Sequence, residues 1–142
     1  MNRLYNNEAI IMACLVQLLR SEEMDIAKSY ICTTLLVDRQ LSAFVKKSRS
    51  FDQLCILVRN QGLISRKLDS FGPYFLNATI ILKQNKFIII NDDKLCLGNL
   101  SFPEGCLKSK RLENIIKNSE HLLNISSRLS TKELYNNLNI QL

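Results

Sequence analysis

A chain of 142 residues falls within the size range of one domain, and with 46% hydrophobic against 23% charged residues it is too apolar to remain disordered. Four Gly and two Pro are too few for the many tight turns of a sandwich or barrel, which disfavours an all-β fold and leaves helix to dominate. The formal net charge of +6 is concentrated: residues 39–67 carry seven cations and one acid, Asp52.

From Asn7 to Arg20 the residues Ile10, Ile11, Cys14, Leu15, Leu18 and Leu19 recur at offsets of three and four, which predicts a first helix with one broad apolar face. Its apolar stretch, Ala9 to Leu19, is preceded by Glu8 and interrupted by Gln17, and a membrane span needs about 20 apolar residues, so no span or targeting segment is expected. Glu22, Glu23 and Asp25 place negative charge where it opposes the positive end of a helix dipole, and a second helix is predicted over about Asp25 to Asp38. Between Arg39 and Arg49 the pattern thins to Leu41, Phe44 and Val45 among lysines and serines, which reads as a frayed helix end and a loop.

Ser50 with Gln53 three residues on forms a capping box, and a third helix runs from there to Asn60-Gln61-Gly62. Leu63 to Phe71 reads as a short amphipathic helix that Gly72-Pro73 interrupts, with a further helix from Pro73 to Asn85. The period then changes. Phe87-Ile88-Ile89-Ile90, the turn residues Asn91-Asp92-Asp93 and Leu95-Cys96-Leu97 predict a hairpin. Ser101 to Gly105 is a loop, Lys108 to Leu123 is helical, and Ser130-Thr131-Lys132-Glu133 is a second capping box opening a last short helix with Leu134, Tyr135 and Leu138.

These elements predict a mainly α fold with one β-hairpin, a winged-helix-like helical domain; an ordinary hairpin closing a helical domain is the plainer alternative. The expected organisation is a single domain, 1–142. It comprises an N-terminal helical pair (1–38), a winged-helix-like part (39–98) with its hairpin at 87–97, and C-terminal helices (108–142).

Cys14, Cys32, Cys55, Cys96 and Cys106 are odd in number and contain no C-x-x-C pair, so they read as reduced core thiols of a cytoplasmic protein. The one histidine, His121, lacks partners at ligand spacing and reads as a surface residue. With no Gly-rich phosphate loop, no G-x-S-x-G elbow and no nucleophile arrangement, the chain is expected to be no enzyme, with no cofactor, metal or small-molecule substrate. Asp92-Asp93 is explained by turn chemistry.

Arg39, Lys46, Lys47, Arg49, Arg59, Arg66 and Lys67 are the candidate nucleic-acid-binding residues, since clustered cations attract phosphate and release its counterions. A solvated helical surface has the same composition, and both readings stand. Leu134, Tyr135 and Leu138 share one face of the last helix and either close the chain's own core or dock on a partner.

Several segments together resemble the middle component of bacterial ABC-three-component systems, the small subunit of Lamassu-type defence. They are Asn6 to Ala9 opening an apolar helix, the leucine-rich Tyr30 to Val37, and Phe71-Gly72-Pro73-Tyr74-Phe75-Leu76-Asn77-Ala78 ahead of the hairpin. Leu122 to Ser127 and Ser130 through Ile140 complete the set. The pattern departs from the family at Glu8, where proline is frequent, and at Asn139, where glycine is. The resemblance implies a non-catalytic adaptor with a winged-helix-like body that links an SMC/Rad50-like ABC ATPase to an effector, often a nuclease, in anti-phage or anti-plasmid defence; DNA contact through the basic cluster is a separate reading, taken from its charge. The alternative is a stand-alone winged-helix DNA-binding transcriptional regulator. Against it, the helix from Pro73 to Asn85 is mostly apolar, with Asn77, Lys83, Gln84 and Asn85 as its main polar residues.

Overall fold

The computed structural model describes residues 2–103, 109–126 and 129–140, with side chains from Glu8 onward. Among these residues seven helices and three short strands follow in the order α1 (Asn2–Ser21), β1 (Met24–Asp25), α2 (Ile26–Val37), α3 (Arg39–Lys47), α4 (Phe51–Gln61), α5 (Ile64–Gln84), β2 (Ile88–Asn91), β3 (Lys94–Leu97), α6 (Lys110–Ser126) and α7 (Thr131–Asn137). The fold is mainly α with one β-hairpin.

Helix α2 lies at the centre. Ser29 and every residue from Ile31 to Val37 are buried, so no side of its second half faces water. Helices α1, α3, α5 and α6 pack around it. Its ends are held by two aspartates. The Asp25 carboxylate accepts from the Lys28 amide at 2.7 Å and starts α2, while Asp38 follows α2 and accepts from the Leu41 amide at 2.9 Å to start α3. Inside, the Ser29 and Thr34 hydroxyls donate to carbonyls one turn back, at 2.9 and 2.7 Å. The buried Thr33 hydroxyl finds no hydrogen-bond partner among the described residues.

The segment 39–49, expected as a fraying end and loop, is instead mostly the helix α3. Leu41 and Val45 bury one narrow stripe while Lys46 and Lys47 stay exposed and sit favourably against the negative helix C-terminus.

A second correction concerns Gly72-Pro73. The two helices expected on either side are one continuous helix, α5. Tyr30 packs against this point of the helix, its hydroxyl donating to the Leu68 carbonyl, next to the Asp69 carbonyl that Pro73 leaves without its intrahelical donor. Gly72 leaves the space for it, since a Cβ there would stand 3.0 Å from the Tyr30 hydroxyl. Phe71 and Phe75 complete the joint, with ring centroids 6.3 and 5.2 Å from that of Tyr30.

The hairpin turns at Asp92 and Asp93, which both take positive φ (50° and 66°), as a two-residue turn matched to strand twist requires. Strand β3 pairs antiparallel with β2 and also with β1, a strand the sequence pattern did not reveal, giving the order β1-β3-β2. The hairpin follows a helix and returns beside an early strand, with four helices between β1 and β2.

Two substitutions test this packing. Thr33→Val removes an unpaired buried hydroxyl at nearly constant shape and is expected to leave stability unchanged or raise it by about 1 kcal/mol in urea unfolding; a loss of that size would mean that the hydroxyl has a partner. A Cβ at Gly98 would lie 2.2 Å from the Lys86 carbonyl oxygen, against backbone that cannot yield cheaply. Gly98→Ala is therefore expected to destabilise by about 1–3 kcal/mol, and wild-type stability would refute this hairpin geometry.

Candidate functional site

Five helices, α1, α2, α3, α5 and α6, line a groove of about 530 Å³, within the size range of ligand pockets. Ile11 of α1, Val37 at the end of α2, Leu63, and Phe71 and Tyr74 of α5 make its walls apolar. Its charged residues come from three elements: Asp38 and Arg39 at the start of α3, Arg66 and Lys67 on α5, and Arg111 on α6.

These charges are not equivalent. Lys67 Nζ stands 3.0 Å from both carboxylate oxygens of Asp38, so the pair is internally neutralised. Arg111 donates to the Val37 carbonyl at 3.2 Å, which ties α6 to the end of α2. Its partial burial, and then the like charge of Arg39, lower its affinity for its proton relative to an ordinary guanidinium. Neither Arg39 nor Arg66 is paired with a carboxylate among the described residues. Arg39 and Arg66 therefore bring to the groove positive charge that no carboxylate of the described residues cancels.

The seven cations singled out from the sequence consequently fall into three places. Arg39, Arg66 and Lys67 line the groove. Lys46, Lys47 and Arg49 are exposed at the far end of α3, Lys46 being about 10 Å along the helix axis from Arg39. Arg59, on α4, donates its Nε proton to the Asn137 carbonyl at 2.8 Å and so clamps the end of α7. Arg111 was missed, although the excess of basic residues in 108–128 was a signal for it.

The three residues proposed for partner docking are placed by α7. Leu134 and Leu138 are buried and Tyr135 is half-buried, all packed against the chain's own core. Ser130 caps the helix by accepting from the Glu133 amide at 3.2 Å, and the Thr131 hydroxyl donates to Asp25 at the start of α2. The two leucines are thus core residues and not a free docking face.

The remaining reactive groups serve packing. Cys14, Cys32, Cys55 and Cys96 are buried free thiols, while Cys106 lies outside the described residues. Burial pushes the Cys32 thiol up to about 12 and the Cys55 thiol up to about 11, which keeps both protonated and unreactive at neutral pH. His121, expected at the surface, is half-buried and donates through Nε2 to the Ser48 carbonyl, joining α6 to the end of α3.

The combined variant Tyr135→Ala, Leu138→Ala is expected to lower the melting temperature of the isolated chain, by an amount corresponding to about 2 kcal/mol or more. Unchanged melting would show that α7 is dispensable to the core.

Compared with protein-family models, with curated proteins and with solved structures, the chain matches none.

Proposed function

We propose that this chain is a non-catalytic, cytoplasmic adaptor that joins an SMC/Rad50-like ABC ATPase to an effector subunit, often a nuclease, in bacterial defence against phage or plasmid DNA. The resemblance of its segments to the middle component of ABC-three-component systems supplies the partners in this reading. Among the described residues, no helix is long and apolar enough to cross a membrane.

One observation supports protein contact over groove reading: the outward face of α5, the helix ahead of the hairpin. Leu76 is 61% exposed and Ile80, four residues on and therefore on the same face, is 44% exposed. Two of its polar side chains are already engaged. Asn77 donates to Glu8 at 2.8 Å and Asn85 to the Ile81 carbonyl at 2.8 Å. A helix that reads bases needs such side chains directed at base edges. The hairpin continues the apolar character, with Ile89, Ile90 and Leu97 exposed.

Co-expression with the products of the neighbouring genes tests the reading. The adaptor predicts co-purification of an ATPase and an effector, and loss of at least one of them in Leu76→Glu, Ile80→Glu at unchanged melting temperature. The purified chain alone is expected to cleave no DNA and hydrolyse no ATP. Sequence-specific duplex binding by the chain alone, with no co-purifying partner, would favour the regulator instead.

A further inference from the structure

We propose that the basic groove lined by α1, α2, α3, α5 and α6 receives an acidic segment of a partner protein, in which an Asp or Glu carboxylate is flanked by an aliphatic or aromatic side chain. The proposal deepens the adaptor reading and rests on it for the source of the segment; the chemistry of the segment is argued from the groove itself.

Charge complementarity chooses the sign. Arg39 and Arg66 meet no carboxylate among the described residues, Arg111 brings a third guanidinium, and Asp38, the only acid among the described residues that line the groove, is held by Lys67. Arg39 and Arg66 are exposed and Arg111 is half-buried, so like charges line one groove, and the guanidinium fork matches a carboxylate with two parallel hydrogen bonds. The arginines are built in by the fold: Arg39 follows the Asp38 cap of α3, and Arg111 is anchored on the Val37 carbonyl.

Shape and lining choose a protein segment over nucleic acid. A volume of about 530 Å³ accommodates a few side chains. Duplex phosphates lie on a convex cylinder and are met by cations on an open face, as Lys46, Lys47 and Arg49 are, whereas Arg39 and Arg66, also exposed, border apolar walls. The walls are apolar, and at the mouth Leu63 and Tyr74 are 36% and 41% exposed. Aromatic and arginine side chains beside an apolar hollow are enriched at protein interfaces.

The test selects random dodecapeptides displayed on phage against the full-length chain. Enrichment of Asp or Glu beside Leu, Ile, Phe or Tyr is expected. A synthetic peptide of the enriched sequence should bind at least tenfold more weakly to Arg39→Gln and to Arg66→Gln, each checked for unchanged melting temperature. Arg66, exposed on α5, serves as the variant least coupled to folding. Binding should be retained by Lys46→Glu, Lys47→Glu.

Selection without acidic enrichment overturns the proposal, as does affinity that follows Lys46 and Lys47 instead of the groove arginines. Equal binding by a twelve-nucleotide single strand that competes with the peptide and shares its arginine dependence also overturns it, reassigning the groove to phosphate. If peptides bind as expected while no neighbouring gene product co-purifies, the adaptor reading falls and the groove assignment stands. If partners co-purify while no acidic peptide binds, the reverse holds.

Discussion

Seven consecutive buried residues in one helix, Ile31 to Val37, impose the constraint on which the rest of the structure depends. At 3.6 residues per turn such a run points in every direction, so the chain must surround α2 instead of laying it on a surface. Polar backbone at its two ends must then be satisfied within the fold, and Asp25 and Asp38 do this. Both carboxylates also reach beyond the caps they form. Asp25 accepts from Thr131 of α7, and Asp38 pairs with Lys67 of α5. The caps of the central helix are thereby the points at which peripheral helices attach.

The groove follows from the same arrangement. Because Asp38 is occupied by Lys67 and by the α3 amide of Leu41, the arginines that the fold brings beside it keep their charge. The apolar outer face of α5 is a separate feature, generated by Leu76 and Ile80 on the side of the helix away from the core. A small chain can in this way present two chemically distinct surfaces, one charged and recessed, one apolar and open.

Much of this was legible in the sequence where the determinants are local. Ser50 and Ser130 do cap the helices they announce, each through a bond to the amide three residues on, and Asp92-Asp93 does adopt the backbone of a tight turn. The partner glutamine of the first box departs slightly, accepting from the Arg49 amide at 2.8 Å. The errors arose where the determinant lies far along the chain. Pro73 breaks a helix by local rules, yet α5 runs on through it, packed there against Tyr30, which lies 38 residues before Leu68 in the chain. Strand β1 is two residues long and exists because β3 pairs with it. The cations of 39–67 looked like one cluster, and only the fold could separate Arg59 and Lys46 from Arg39 and bring in Arg111.

The attachment of α7 has a consequence for the order of events in time. Thr131 bonds to Asp25 across 106 residues and Asn137 to Arg59 across 78, and Leu138 is wholly buried. A nascent chain therefore cannot finish its core until the ribosome has released Leu138, however early the capped helices form. Through most of synthesis, at roughly 5–20 residues per second, the apolar seat of α7 stands open. During those seconds it is a place for chaperones to bind, and a frameshift or stop codon shortly before residue 130 would leave it open permanently.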